Sequence, residues 1–281
     1  MFTLNCKGRP LTIDKPLVMG IINVTPDSFY KGSRFESTDA VLQQAEKMLK
    51  DGATILDVGG QSTRPGSERV SAAEELKRVI EPVRIIHDHF PRAYISIDTY
   101  HASVAKEAVA AGACIVNDIS AGDMDKAMIG TVANMQVPYV LMHMKGTPQT
   151  MQQETNYIDI NKEVLDFLIN KREELQKARV TDIIIDPGLG FGKTSEQNFG
   201  LLRHLPLLNI LNCPIMLGIS RKSSIYKTLD ISPQDALNGT TVLNTIGLLN
   251  GAVILRVHDV KEAIEAIKLV AVYQSTSKQK E

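Results

Sequence analysis

The stretch AYISIDTYHASVAKEAVAAGACIVND, residues Ala93–Asp118, holds two short apolar runs on either side of one amphipathic segment. The runs end at Asp98 and at Asp118 and are almost continuously apolar, which is typical of strands buried on both faces of a parallel sheet. The segment between them has the apolar spacing of a helix and stops at Gly112. Parallel strands need a crossover connection, which is usually a helix, so this stretch predicts one βαβ unit.

The same alternation continues through the rest of the chain. Eight apolar runs are separated by helical patterns; in chain order they are LVMGIIN, ATILDV, AYISID, CIVND, YVLMH, DIIID, PIMLGIS and AVILR. One helical pattern opens on Ser71 with Glu74 three residues later, which is a capping box. Eight strand–helix units in about 250 residues predict a TIM barrel, the (β/α)8 fold of the α/β class. The alternative is a doubly wound open sheet, which usually has about five to seven strands.

The chain is predicted to form a single domain over residues 1–281, because no linker composition interrupts the alternation. Residues 1–13 predict a short N-terminal β-hairpin with its turn at Lys7–Pro10, placed to close the bottom of the barrel. Residues 275–281 are polar and are predicted to form a frayed tail.

The composition limits the kinds of partner that the protein is expected to bind. The chain is 43% hydrophobic and 22% charged with a formal net charge of −1, which is ordinary for a soluble globular protein. No basic block is present, so no nucleic-acid partner is expected. No apolar stretch reaches the roughly 18 residues of a membrane span, and no signal peptide is evident, so we expect no membrane partner and a cytoplasmic location. Cys6, Cys114 and Cys213 lack metal-ligand spacing and are predicted to be buried thiols.

Polar residues stand at or near the carboxyl ends of the predicted strands. In a TIM barrel these ends meet at one mouth, where the active site lies. A single strand-end Asp or Asn can simply cap the next helix, but acids, amides and bases at successive strand ends favour a site. They are Asn23, Asp57, Asp98, Asn117, Asp118, His143, Asp186, Ser220 and Arg256. For His143 alone, a ligand and a hydrogen-bonded core histidine are equally good interpretations.

The stretch DPGLGFGKT, Asp186–Thr194, looks at its end like a phosphate-binding P-loop. That motif requires a glycine five residues before the glycine of its Gly-Lys pair, and Pro187 occupies the position. Lys193 is therefore predicted to be a solvated lysine near a helix start. The glycines would let the backbone adopt positive φ or approach a flat ligand, and Asp186 is predicted to point into the mouth.

Two clusters follow the seventh and eighth strands, where TIM barrels usually bind phosphate. GISRKSS places Lys222 and Ser223 before a predicted helix whose first N–H groups can bind an anion. LRVHDV places Arg256 and His258 two residues apart, so both project to one side of the strand end. Arginine suits two-point contacts to phosphate, while a salt bridge to Asp259 or to another neighbour is the alternative.

Three connections are longer than the usual roughly two to six residues. They are Asn23–Thr38, Gly59–Ser71 and Lys145–Tyr157, all rich in proline, glycine or hydroxyl side chains. The first two can fold over a substrate and exclude water, with disorder as the alternative. The first carries Asp27, Ser28 and Phe29, and the second carries Thr63, Arg64 and Pro65.

Seven sequence blocks resemble, in order, those of the dihydropteroate synthase family and cover nearly the whole chain. They are MGIINVTPDSF, DVGGQSTRPGS, SIDTYHASVA, NDIS, DPGLGFGKT, GISRKSS and LRVHDV. The resemblance implies a Mg2+-dependent TIM-barrel transferase, usually a homodimer, that condenses 6-hydroxymethyl-7,8-dihydropterin diphosphate with 4-aminobenzoate and releases diphosphate. The chain departs from the family pattern at Gln61, where glutamate is common, and at Ser224, where a larger apolar residue is common.

The resemblance also implies roles for the matching positions. Asp98, Asp186, Lys222 and Arg256 would be catalytic. The pterin edge would be bound by Asp98, Asn117, Asp186 and Lys222, between walls formed by Ile119, Met142 and Phe191. Mg2+ would be ligated by Asn23, and the diphosphate would be held by Thr63, Arg256 and His258. The aminobenzoate subsite would be formed by Phe29, Thr63, Pro65 and Ser223, with Arg64 on the same loop as Thr63 and Pro65. Loss of diphosphate would leave a cationic pterin methylene, which Asp98 and Asp186 can stabilise before the arylamine attacks.

Two other functions fit a pterin-binding barrel. A non-catalytic pterin-binding paralogue would lose the two long loops, and both are intact in this sequence. A methyltransferase that serves a corrinoid protein would have no use for a diphosphate clamp or an aminobenzoate subsite. Small-molecule substrates are therefore the expected partners.

Overall fold

The structure is a computed structural model, and it describes residues 1–24, 34–62 and 66–276. A two-stranded antiparallel hairpin comes first, with β1 at Phe2–Cys6 and β2 at Arg9–Ile13. Eight parallel strands then form a barrel. They are β3 (Leu17–Asn23), β4 (Ile55–Gly59), β5 (Tyr94–Asp98), β6 (Ile115–Asp118), β7 (Tyr139–Met142), β8 (Ile183–Asp186), β9 (Met216–Leu217) and β10 (Ile254–Val257).

Helices connect the strands on the outside of the barrel. Those of the described residues are α1 (Arg34–Lys50), α2 (Ala72–His89), α3 (Ala102–Ala110), α4 (Met128–Met135), α5 (Ile160–Lys177), α6 (Ser195–Arg203), α7 (Ser223–Leu229), α8 (Leu237–Leu249) and α9 (Val260–Thr276), with 3-10 turns at Leu205–Leu211 and Pro233–Asp235. None of these described helices has the length and apolar character needed to cross a membrane.

The strands close into a ring. From β3 to β8 each strand pairs with the next one in the chain, and β10 pairs with both β3 and β9. A parallel bridge between Ile185 and Ile215 joins β8 to the start of β9 and completes the barrel. The predicted (β/α)8 fold is confirmed. An open doubly wound sheet is excluded, because such a sheet reverses its strand order and leaves two free edges.

The hairpin closes the amino-terminal end of the barrel, as predicted. Its inward side chains pack against the first apolar residues of the strands; the cluster includes Leu4, Cys6, Leu11, Ile13, Leu17, Met19, Ile55, Cys114, Ile115, Val140, Ile184, Met216 and Ile254. The backbone N–H of Asn5 also donates to Asp182 Oδ2 at 2.7 Å, just ahead of β8. Burial of this end leaves the opposite, carboxyl end of the strands as the open mouth.

Helix α4 begins at Met128, and the Asp125 side chain ahead of it accepts hydrogen bonds from Ala127 N and from Ala102 N at the start of α3. One boundary differs from the sequence prediction. Helix α9 continues through Thr276, two residues into the predicted tail.

Candidate active site

Side chains from four strands converge at the mouth. The Arg256 guanidinium donates from Nε to Asp57 Oδ2 at 2.7 Å and from Nη2 to Asp98 Oδ2 at 2.5 Å. The Asn117 amide donates to the same Asp57 oxygen at 3.0 Å. Asp57, Asp98 and Asn117 are all buried, so one guanidinium compensates two carboxylates that are shielded from water.

Asp186 and Lys222 form the next part of the site. Asp186 Oδ1 accepts a hydrogen bond from Gly188 N at 2.7 Å, which orients the carboxylate at the end of β8. Lys222 donates from Nζ to the Leu189 carbonyl, and its Nζ lies 4.5 Å from the centroid of the Phe191 ring. The turn after β8 therefore positions both an acid and a lysine.

An apolar cluster lies at the same mouth. It joins Ile119, Met142 and Phe191, the three residues predicted to wall a pterin, with Tyr100 and Met151; Met124 and Met144 pack against it. Each of the five central residues is buried. The structure thus brings the predicted apolar walls together, while their contact with a substrate stays a prediction.

Burial shifts the pKa of the charged groups at the mouth. It raises the pKa of Asp98 to about 7, although Arg256 acts in the other direction. It lowers the pKa of Lys222 to about 8, against the effect of the Asp186 carboxylate. For Arg256, burial also lowers the pKa, but Asp57 and Asp98 outweigh it and raise the pKa above its usual value. Asp98 and Lys222 therefore change charge close to neutral pH.

Lys193 is not the solvated lysine that the sequence predicted. The residue is 4% exposed, and its Nζ donates to the carbonyls of Gly188 and Phe191 at 2.9 Å each. The prediction was wrong because a lysine before a helix N-cap has no periodic pattern to reveal burial; the inward path is set by the turn that precedes it. His143 is likewise a buried, hydrogen-bonded histidine, which decides between the two interpretations of its position.

The salt-bridge alternative holds for Arg256, whose partners are the neighbours Asp57 and Asp98. Asp259 is bound by Arg221, with contacts of 2.8 and 2.9 Å. His258 Nδ1 lies 3.0 Å from Ser220 Oγ, which links the ends of β9 and β10. Two other predicted residues lie at the ends of elements, as the sequence predicted. Ser223 is the first residue of α7, and Asn23 is the half-buried last residue of β3.

The second and third long loops contact each other beside the mouth. Gly66 N donates to Pro148 O at 3.1 Å, and Gln149 Nε2 donates to Ser67 O at 2.9 Å. The third loop also reaches the turn after β8 through Tyr157 Oη, which donates to Gly192 O at 2.9 Å. The predicted substrate contacts Phe29, Thr63, Arg64 and Pro65 lie outside the described residues.

Sequence reasoning gave no specific role to three residues of the site. Asp57 was placed among the polar residues at the mouth, but its role as the shared acceptor of Asn117 and Arg256 was not predicted. A signal was available: an acid inside an otherwise apolar strand run is costly to bury without a partner. Tyr100 and Met151 had no such signal, because each lies outside a periodic element and joins the apolar cluster only through the fold.

The two departures from the family pattern are both buried. Gln61 Oε1 accepts hydrogen bonds from Tyr100 Oη at 2.9 Å and from Val70 N at 3.3 Å. Its Nε2 has no hydrogen-bond partner among the described residues, and neither does the hydroxyl of Ser224. Gln61 thus ties the base of the second loop to Tyr100, two residues after β5.

The barrel and the groups at its mouth define a pterin-binding enzyme as the class of protein. The family model described as pterin binding enzyme matches residues 19–258. The chain is 40% identical over 279 residues to dihydropteroate synthase of Escherichia coli, covering 99% of this chain and 98% of that one.

Two solved structures extend the comparison. Yersinia pestis dihydropteroate synthase with a sulfonamide drug has a TM-score of 0.92 and 39% identity, covering 98% of this chain and 100% of that one. Xanthomonas albilineans dihydropteroate synthase with 4-aminobenzoic acid has a TM-score of 0.90 and 38% identity, covering 97% and 98%. The chain belongs to the dihydropteroate synthase family, which confirms the resemblance seen in its sequence.

Proposed function

We propose that the protein catalyses the condensation of 6-hydroxymethyl-7,8-dihydropterin diphosphate with 4-aminobenzoate, a step of folate biosynthesis. The observation that carries the proposal is the group of Asp57, Asp98, Asn117 and Arg256, which lies at the same mouth as the apolar cluster. A pterin is flat and has hydrogen-bond donors and acceptors along one edge. Apolar walls suit its faces, and buried carboxylate and amide groups suit that edge.

The charges at the mouth suit loss of the diphosphate. Departure of the diphosphate with the C–O bonding electrons leaves a positive charge on the pterin methylene, and the carboxylates of Asp98 and Asp186 would stabilise it in a buried setting. The arylamine nitrogen then attacks this carbon and loses a proton. The reaction needs no covalent nucleophile from the protein, and Cys6 and Cys114 lie in the cluster at the opposite end of the barrel.

The leaving diphosphate requires positive charge. Arg256, in β10, supplies it from the mouth. His258 follows the same strand and Ser223 begins helix α7 after the neighbouring strand β9, and the anion would lie beside them. Asn23 is the proposed ligand of Mg2+, because an amide oxygen is a hard donor of the kind this ion prefers. Bound there, Mg2+ would neutralise charge on the leaving group.

The donor set fits such an ion. Among the described residues, no group of three or more His, Cys, Asp or Glu side chains is placed to hold a metal. A complete protein cage is therefore not part of the proposal. Mg2+ commonly takes one or two protein ligands and completes its octahedron with substrate phosphates and water, and Asn23 would serve as that kind of ligand.

The second substrate is proposed from the comparison as well as from the fold. The Xanthomonas albilineans relative was solved with 4-aminobenzoic acid. In this chain the implied subsite comprises Ser223, at the start of α7, and the residues of the first two loops. The second of these loops also contacts the third loop beside the mouth.

A turnover assay tests the proposed function. Purified protein, the pterin diphosphate and Mg2+ should release diphosphate only when 4-aminobenzoate is also present, and dihydropteroate should appear in equal amount. Absence of both products would contradict the proposal. Pterin binding without turnover would instead support the non-catalytic paralogue, and binding of methyltetrahydrofolate would support the methyltransferase.

We also propose that the protein is a cytoplasmic homodimer. Helices α8 and α9 pack side by side and expose large apolar side chains at helical spacing: Val242, Ile246 and Leu249 on α8, and Leu269, Val272 and Tyr273 on α9. An apolar face of this kind commonly marks a protein–protein interface. The three cysteines are buried free thiols, as expected in a reducing compartment.

Light scattering tests the homodimer. The wild-type protein should have twice the mass of one chain, and Ile246→Glu together with Val272→Glu should reduce it to one. Lys227→Glu, an exposed change on the neighbouring helix α7, is the control and should leave the mass unchanged. A wild-type monomer at micromolar concentration would contradict the proposal.

A further inference from the structure

Lys193 makes contacts that the chemistry proposed for the mouth does not use. Its Nζ lies 2.9 Å from His143 Nδ1, 3.3 Å from His143 O, and 2.9 Å from each of the carbonyls of Gly188 and Phe191. Every near neighbour of the amine is thus a hydrogen-bond acceptor or can act as one. A buried lysine with so many acceptors holds separate parts of the fold together through hydrogen bonds.

The imidazole of His143 is suited to accept from the lysine. Burial, together with the charge of Lys193, lowers the pKa of His143 to about 2, so its ring is neutral and one ring nitrogen is free to accept. The ring is held in place by aromatic neighbours. Phe167 packs against it edge-on with 4.9 Å between ring centroids, and Tyr157 lies at 6.1 Å.

These contacts join two separate loops. His143 follows β7, whereas Gly188 and Phe191 belong to the turn after β8. The backbones of the two loops touch, because a Cβ built on Gly188 would lie 1.8 Å from the His143 carbonyl oxygen. Lys193 therefore holds the turn after β8 against a fixed neighbour.

The turn carries the groups that face the mouth. Its Leu189 carbonyl accepts the hydrogen bond from Lys222 Nζ, and its Phe191 ring lies 4.5 Å from the same nitrogen. Its Gly188 amide donates to Asp186. Two of the three carbonyls that bind Lys193, those of Gly188 and Phe191, flank this segment. A shift of the turn would move Asp186, Phe191 and Lys222 together.

We propose that Lys193 is a positioning residue for the pterin subsite: by tying the turn after β8 to His143, it sets the positions of Asp186, Phe191 and Lys222. The inference rests on the proposed function and on the pterin contacts that the family resemblance implies for those three residues. Lys193 itself touches no reacting atom. Its loss should weaken the pterin side of the site and spare the aminobenzoate side.

The variant Lys193→Met tests the proposal, because it removes every N–H donor and keeps an unbranched side chain. We expect kcat/KM for the pterin diphosphate to fall about 10- to 100-fold, mainly through a higher KM, with KM for 4-aminobenzoate unchanged. Lys171→Met is the matched control. Lys171 is also largely buried, with 15% of its side chain exposed, and it binds Asp123 at 2.8 Å and Glu174 at 3.2 Å, away from the turn.

The two variants separate positioning from simple stabilisation. Both should lower the midpoint of denaturant unfolding, but only Lys193→Met should raise KM for the pterin diphosphate. A Lys193→Met protein with a wild-type KM for that substrate would overturn the proposal. If the wild-type protein shows no turnover, the proposed function has failed instead; the same comparison is then made on the dissociation constant of 7,8-dihydropteroate.

A second pair of variants decides the matter if Lys193→Met does not fold. His143→Asn keeps an acceptor close to the position of Nδ1, and His143→Leu removes it. We expect KM for the pterin diphosphate to rise in His143→Leu and to rise less in His143→Asn. Equal values of KM in the two variants would overturn the proposal.

Discussion

Arg256 carries its charge into a mouth where Asp57 and Asp98 are buried, and 19% of the Arg256 side chain remains exposed. Attraction between such groups is largely offset by the loss of their hydration, so the intact arrangement adds little net stability. Removal of one partner is different, because it leaves a buried charge without compensation. A variant at Arg256 should therefore change stability as well as chemistry.

Arg256→Met should lower the free energy of unfolding by about 3–5 kcal/mol, because Asp57 and Asp98 then stay buried without their salt-bridge partner. It should also lower kcat/KM by at least about 100-fold, since the diphosphate loses a positive partner. Denaturant unfolding and steady-state turnover measure the two effects. The double variant Asp57→Asn/Arg256→Met should recover part of the stability and none of the activity. A single variant as stable as the wild type would contradict the described ion pairs.

The pH dependence of turnover follows from Asp98 and Lys222. Asp98, with its pKa raised to about 7, is protonated below that pH and loses the negative charge that would stabilise the pterin cation. Lys222, with its pKa lowered to about 8, loses its positive charge above that pH. We expect kcat/KM for the pterin diphosphate to be bell-shaped, with its maximum between these two pKa values.

The acid limb of the pH profile is assigned to Asp98, but the phosphate of the substrate also titrates, with a pKa of about 6. A variant distinguishes these two causes. In Asp98→Asn, the residual kcat/KM should lose the limb near pH 7 and keep the alkaline limb. A profile that is flat from about pH 6 to about pH 9 in the wild type would contradict the assignment.

At the scale of elements, the turn after β8 shows why its glycines stand where they do. Gly188, Gly190 and Gly192 all have positive φ, and a Cβ on each would meet a different neighbour: the His143 carbonyl, the Lys222 side chain and the Lys145 carbonyl. The turn is thus packed on three sides. It has the glycine content of a phosphate loop but uses its glycines for close packing of the backbone.

Gly188→Ala should be far more costly than a glycine substitution elsewhere. At Gly188 φ is +67° and the new Cβ would lie 1.8 Å from a backbone oxygen; at Gly8 φ is +81° and no atom lies within 4 Å. Gly8→Ala should therefore cost only the backbone term of about 1–2 kcal/mol, and Gly188→Ala should cost clearly more. Denaturant unfolding compares the two, and equal losses would contradict the described backbone contact.

At the scale of the whole molecule, the two ends of the barrel divide the work. The chemistry lies at the carboxyl end of the strands, and the hairpin covers the apolar amino-terminal end. Substitutions that are distant and share no partners act independently. A substitution at the hairpin end should therefore change stability without moving the groups at the mouth.

Leu11→Ala tests this separation. Leu11 is buried in the hairpin cluster, so its truncation should lower the free energy of unfolding by about 2–4 kcal/mol. Both KM values should stay at the wild-type level. Thr12→Ala, an exposed change on the same strand, should alter neither quantity. A raised KM for either substrate in Leu11→Ala would show that the hairpin and the mouth are coupled.

The amino-acid sequence was sufficient to predict the barrel, the hairpin and the placement of polar strand ends at one mouth. The reason is that strand and helix periodicity are local properties, and strand ends in a barrel have a common location. The predicted start of the tail was wrong by two residues, since helix α9 continues through Thr276.

Only the tertiary structure decided which side chains at the mouth are paired with each other. Arg256 binds Asp57 and Asp98 across 199 and 158 residues of chain, and Lys193 meets His143 across 50. No local pattern marks such partners, because closure of the barrel brings them together. The sequence by itself therefore determined which residues stand at the mouth, whereas packing of the closed barrel decided which of them are buried and which charges they share.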